Sequence, residues 1–299
     1  MDKIQEAIST LNKDRVTIGI VGPARSGKSL FIRKFAEIIG NFTEEELPKV
    51  KEGRYITTNQ MTFVPKKPKE ILLSKDSMIE LQFIECIGVK IPGSKGLIRE
   101  HLKIEGIPTS LTPEKAVLFQ THMAMTELCN YGIVILTDGS FGEFKRFHYI
   151  DAESEILQLI DSLRKPYTVV FNTTRPNSNY VRETILNIEA EYRVPVLAMD
   201  LEKFTKDHFM GIIHALLNRK YIKEFNINLP KEVQELDAKH PKRVLYENSI
   251  NGVLSRGRRF ILDEVPEIIE DFKAIDFIEN VELSMIDRKL GVIEINIHE

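Results

Sequence analysis

The sequence predicts an α/β fold: a mostly parallel sheet with helices on both faces, followed by a smaller α+β domain. Three observations carry this. Apolar runs at 16–22, 132–138, 167–172 and 194–200 are close to continuous, as strands covered on both faces must be. Stretches with helical spacing, at about 113–130, 151–164, 178–192 and 204–218, separate the later runs. The stretch GPARSGKS, 22–29, joins the first apolar run to a helical pattern.

Taken in order, 1–14 is polar and reads as a short helix or a loose tail. VTIGIVG is the first strand. Leu30, Phe31, Phe35, Ile38 and Ile39 then recur at helical spacing, and Gly40 is placed to stop that helix. MTFVP, EILLS and MIELQFIE read as strands, the last two forming a hairpin about Lys75-Asp76-Ser77. Residues 88–112, rich in Gly, Pro and charge, read as a long loop or insertion. The pattern changes near residue 222, which predicts a nucleotide domain over 1–222 and a small domain over 223–299. In the latter, NINLP is a short strand, 231–248 and 264–275 are helical, and VELSMI and LGVIEINI are alternating strands about a turn.

Composition narrows the function classes. The chain has 299 residues, 42% hydrophobic and 28% charged, which is enough to bury a sizeable core. A net charge of −3 gives no basic footprint for nucleic acid. No run reaches the roughly 20 apolar residues needed to span a bilayer, and MDKIQEAIST has no signal-peptide core. Cys86 and Cys129 make no disulfide framework, so a cytoplasmic location is expected. His101, His122 and His148 lack ligand spacing, and SRGRR, 255–259, reads as a solvated turn.

Gly22, Pro23, Ala24, Arg25, Ser26, Gly27, Lys28 and Ser29 satisfy G-x-x-x-x-G-K-[ST], and the strand and helix on either side supply the context that motif needs. Such a loop turns successive backbone N–H groups toward a phosphate. Lys28 adds a compact positive charge for the β- and γ-phosphates, Ser29 a hydroxyl for Mg²⁺, and the following helix its N-terminal dipole. The fold expected is therefore that of a P-loop NTPase of GTPase-like pattern.

The remaining parts are sought at their spacing. Glu85-Cys86-Ile87-Gly88 ends a strand where GTPases carry D-x-x-G, so Glu85 is the candidate Mg²⁺ carboxylate. Thr57 and Thr58 lie between loop and strand, where a threonine can join the Mg²⁺ shell and sense the γ-phosphate. Val89 stands where some GTPases place a water-orienting glutamine, a task valine cannot perform. Asn172-Thr173-Thr174-Arg175 stands where GTPases read guanine with N-K-x-D. Asn172 is kept, but Arg175 has only donors and cannot accept from guanine's N–H groups.

With GIVGPARSGKSLFIRKF, ITTNQMTFVP, CIGVKIPGSKG, VILTDGSFGEFKRFHYIDAE, FNTTRP and VPVLAMD spread over residues 18 to 200, the chain resembles the stage IV sporulation protein A family of endospore-forming bacteria. The resemblance implies an ATP-binding, Mg²⁺-dependent cytoskeletal ATPase that polymerises as the basement layer of the spore coat, in the mother-cell cytoplasm at the forespore surface. It implies that Lys28 is the P-loop lysine, that Thr57 and Thr58 sense nucleotide, and that Glu85 stands where the family has Asp. The expected partners are further copies of itself or a full-length family member, and other spore coat proteins. The family is longer at its C-terminus, where it recognises the forespore membrane, whereas this chain stops after VIEINIHE. That predicts a short paralogue or a truncated chain, poor assembly by itself, and membrane contact only through a partner. Three classes stay open: an assembly ATPase, a GTPase-like molecular switch, and a nucleotide-binding protein with little or no turnover.

Overall fold

The structure is a computed structural model, and it describes residues 15–40, 42–50, 61–74, 77–95, 112–163, 165–255, 261–288 and 290–298. The chain forms two compact units, Met1–Leu216 and Leu217–Glu299.

The first unit is built on a six-stranded sheet of order β2-β3-β1-β4-β5-β6. Its strands are β1 (Arg15–Val21), β2 (Thr62–Ser74), β3 (Ser77–Glu85), β4 (Tyr131–Thr137), β5 (Tyr167–Asn172) and β6 (Val196–Met199). All neighbours pair in parallel except β2 and β3, which form the antiparallel hairpin expected at 75–77. In β1, β4 and β5 every residue after Arg15 is buried, which is why they read as unbroken apolar runs.

One sheet face is covered by α1 (Lys28–Ile39) and α5 (Lys206–Asn218). Phe35 of α1 meets Phe83 of β3 at 5.5 Å and Phe209 of α5 at 4.6 Å between ring centroids. The buried stripe of α1 is Phe31, Ile32, Phe35 and Ala36, rather than one running on to Ile38 and Ile39, which stay half-buried near the C-terminal end. Gly40 ends the helix at φ 79°, its N–H reaching Ala36 O at 2.9 Å. The other face carries α2 (Pro113–Met123), α3 (Ile150–Ser162) and α4 (Asn179–Tyr192). There Val117, Ile156, Ile160, Val181 and Ile188 pack with Val21, Ile84, Leu136 and Phe171 in one apolar cluster.

Three expectations change. MTFVP and EILLS belong to one strand, β2, with a register shift between Val64 and Lys69. Pro65 and Pro68 lie within it, and β2 is the outer strand of the sheet, where a missing N–H is tolerated. The helix expected at 113–130 is α-helical to Met123, then takes one π turn, Ala124–Leu128. Lys165 Nζ satisfies that end by donating to the carbonyls of Thr126 at 2.6 Å and Cys129 at 2.7 Å. The helix expected at 231–248 is two, α6 (Lys231–Gln234) and α7 (Pro241–Leu254), because Pro241 suits a first helical turn and not an interior.

The second unit has a three-stranded sheet of order β7-β9-β8, from β7 (Glu224–Asn228), β8 (Asn280–Asp287) and β9 (Val292–His298). β9 runs parallel to β7 and antiparallel to β8. Helix α8 (Val265–Lys273) places Val265, Ile268 and Phe272, with Tyr246 and Val253 of α7, in one cluster with Ile293, Ile295 and Ile297.

Candidate nucleotide site

Parallel pairing brings the C-terminal ends of β1, β3, β4, β5 and β6 to one edge, where open α/β sheets bind ligands. The loop 22–29 leaves this edge from β1. Gly22 has φ 142°, and a Cβ there would come 2.3 Å from the carbonyl oxygen of Ile135, so no side chain fits. Gly27 has φ 103°, and a Cβ there would come 2.6 Å from Asn172 Nδ2. Both glycines are thus required by backbone and by space. Arg25 also has positive φ, 65°.

Lys28 is 6% exposed. Its Nζ donates to the carbonyls of Pro23 at 2.8 Å and Gly22 at 3.3 Å. Burial pushes its pKa down to about 8, partly offset by the Glu85 carboxylate. Ser29 Oγ donates to Glu85 Oε1 at 2.5 Å. Glu85, 4% exposed, pairs with Ile20 across β1 and β3, which sets it beside the loop. Burial raises its pKa, while the Ser29 hydroxyl and the Lys28 charge act the other way.

The segment after Glu85 is joined to the loop. Val89 N donates to Gly22 O at 3.3 Å and Ala24 N to Val89 O at 2.7 Å. A Cβ on Gly88 would lie 2.6 Å from Ala24 Cα and 2.7 Å from Lys28 Nζ, so a glycine is needed there as well. Asn172 is 2% exposed and spends both ends of its amide on the protein. Nδ2 donates to Ser26 O at 3.2 Å, and Oδ1 accepts from Leu201 N at 3.4 Å. Its visible work is to tie the phosphate loop to the ends of β5 and β6.

The turn after Asn172 carries Thr173, Thr174 and Arg175, none of them a carboxylate. Thr173 is fully buried and donates to Asp138 Oδ2 at 2.6 Å. Its hydroxyl accepts from Arg175 N at 3.1 Å, and Thr174 N donates to Ser140 Oγ at 2.8 Å. Arg175 itself is exposed. No motif in the sequence marks Asp138 or Ser140; the strand-end Asp in VILTD is the one available signal. Half-buried Arg146 and buried Glu153 form a two-pronged ion pair at 2.5 Å, and the guanidinium lies 5.5 Å over the Phe171 ring.

Lys28, Ser29, Glu85 and Asn172 therefore converge on one loop. Thr57 and Thr58 lie outside the described residues, as do His101, Arg256 and residues 96–111. His122 is exposed and His148 is half-buried. The paired oxygens of Ser29 and Glu85 fit Mg²⁺, a hard cation that takes one or two protein oxygens and completes its shell with phosphates and water.

Among solved structures, the chain is similar to the Methanococcus maripaludis translation elongation factor SelB with the GTP analogue GPPNHP, at 10% identity and TM-score 0.41, over 72% of this chain and 36% of that one. It is also similar to Era with MgGDPNP and a ribosomal RNA fragment, at 15% identity and TM-score 0.42, over 68% of this chain and 57% of that one. The stage IV sporulation protein A of Bacillus subtilis (strain 168) is 29% identical over 297 residues, 95% of this chain and 60% of the relative. That of Clostridioides difficile (strain 630) is 30% identical over 312 residues, 99% of this chain and 63% of the relative. The chain thus spans about three-fifths of the length of the curated relatives it matches. The family model "Stage IV sporulation protein A, ATPase domain" matches residues 1–221, and the chain belongs to that family.

Proposed function

We propose that this chain binds ATP and Mg²⁺ at the 22–29 loop and hydrolyses the ATP slowly, the turnover switching a protein that assembles in the spore coat. Its partners on this reading are further copies, a full-length family member and other coat proteins, in the mother-cell cytoplasm at the forespore surface. The observation that carries the reading is the cluster of Lys28, Ser29 and Glu85 on a buried phosphate loop, next to a base-side turn without the guanine acceptor. Lys28 holds the β- and γ-phosphates, the loop N–H groups surround them, and Ser29 with Glu85 would hold the metal. When bound, Mg²⁺ neutralises phosphate charge. Thr57 and Thr58 are proposed as γ-phosphate sensors, and 1–222 as the nucleotide domain. Among the described residues no helix is long and apolar enough to cross a membrane.

Hydrolysis is expected to be slow, at or below the low end of the ~1–10³ s⁻¹ usual for enzymes. Val89 has no polar group to orient water, and it is 6% exposed. Single-turnover hydrolysis with Mg²⁺, in the parent and in Glu85→Ala, tests this. The parent should turn over ATP, and Glu85→Ala should need more Mg²⁺ and run slower. Unchanged Mg²⁺ dependence and rate in Glu85→Ala would remove Glu85 from the metal site.

A further inference from the structure

The loop contains a second cation whose role the reading above leaves open. Arg25 sits between Gly22 and Gly27 at φ 65°, a conformation glycine adopts freely and an arginine does not. An outlier of that kind at a ligand loop is a reason to look for function. Two contacts frame it. The hydroxyl of buried Tyr149 donates to its carbonyl at 3.5 Å. Its neighbour Ala24 donates to the carbonyl of Val89 at 2.7 Å. Arg25 therefore stands at the junction of the phosphate loop with the segment that, in GTPases, brings a glutamine to the attacking water. Valine leaves that segment without a polar group. Arg25 and Lys28 lie three positions apart, so two cations share one loop. Two positive charges in this relation are mutually unfavourable until a polyanion lies between them.

We propose that Arg25 is a catalytic arginine supplied in cis, which touches the nucleotide phosphates and stabilises the transition state of hydrolysis. In that step a water oxygen bonds to the γ-phosphorus. The bond from phosphorus to the β–γ bridging oxygen breaks, its electron pair stays with ADP, and a water proton passes to solvent. Negative charge grows on the bridging and terminal oxygens, and a planar guanidinium with five donors is suited to meet two of them together. An arginine in this role contributes typically 10³- to 10⁵-fold to turnover in related chemistry.

The proposal rests on the ATPase reading, and the test separates the two. Arg25→Gly is the informative variant, because glycine suits φ 65° and should leave the loop folded. Arg25→Lys keeps the charge and loses the fork. Single-turnover hydrolysis is measured beside the affinity for ATP and for ADP with aluminium fluoride, a transition-state mimic. Arg25→Gly should hydrolyse about 10³-fold more slowly. Its ATP affinity should stay within about fivefold of the parent, and its affinity for the mimic should fall in step with turnover. Arg25→Lys should recover only part of the rate. An active parent matched within about threefold by Arg25→Gly would overturn the arginine's role alone. So would an ATP affinity that falls as far as the rate does, which marks ordinary ground-state binding. A parent without any turnover of ATP would overturn the ATPase reading, and this role with it.

Discussion

Lys28→Ala is expected to lose measurable ATP binding while keeping its fold. The ammonium is buried on its own loop, held by the carbonyls of Gly22 and Pro23, so its removal takes the one compact charge from the phosphate site. Hydrogen bonds to charged groups contribute ~1.5–3 kcal/mol each, and two such bonds to phosphate correspond to a loss of roughly 10²- to 10⁴-fold in affinity. Calorimetry on the variant should show no saturable heat where the parent saturates, and parental affinity would contradict the assignment. The same lysine ties binding to pH. A folded pKa of about 8 lies below the unfolded 10.5. Between these values the unfolded chain binds more protons, so Lys28 adds stability to the unliganded protein as pH rises through this window. ATP requires the charged form, so binding at pH 9 should take up a proton, seen as a heat that depends on the buffer's ionisation enthalpy. A buffer-independent heat would deny the linkage.

Arg146→Ala should be the most damaging change outside the nucleotide loop. Removing one partner of a buried ion pair typically costs 3–5 kcal/mol, because the other charge is left without compensation. Glu153 is deeply buried, and burial already raises its pKa against the pull of Arg146. Without the guanidinium that rise grows. The variant's deficit should then shrink as pH falls and Glu153 takes up a proton, and widen as pH rises. Arg146→Met combined with Glu153→Leu should recover most of the loss, since an apolar pair of similar volume replaces an ion pair at little cost. Denaturant unfolding at two pH values measures all three variants. A loss below about 1 kcal/mol for Arg146→Ala would show that the pair is not isolated from water.

What was legible in the chain was what lies close in sequence or repeats with a period. β1, β4 and β5 are buried on both faces, so their residues had to be apolar throughout and their limits were plain. The phosphate loop was readable because eight consecutive residues must do one job, and both glycines prove to have no room for a side chain. Glu85 could be found by its place at a strand end, which pairing with Ile20 converts into proximity to Ser29. The contacts that were not legible join distant loops. Thr173 meets Asp138 across 35 positions, a link created by the register of β4 with β5 and unmarked in either segment. Asn172 looked like a base contact, but both ends of its amide meet protein groups, one of them 146 positions away. The prolines show why two limits differ from the pattern: those in β2 sit on an outer strand and break nothing, while Pro241 begins a new helix.

Competition of GTP against labelled ATP, with Mg²⁺ present, tests the central claim most directly. The loop itself cannot choose, because both nucleotides offer it the same phosphates. Choice falls to the turn after β5, where Arg175 stands in place of the guanine-accepting Asp and Thr173 is turned inward to Asp138. Losing one hydrogen bond to a charged acceptor costs ~1.5–3 kcal/mol. GTP should therefore need a concentration about tenfold or more above that of unlabelled ATP to displace the label. Displacement by GTP at lower concentration than ATP would contradict the ATP reading, and would make the site that of a GTPase-like switch.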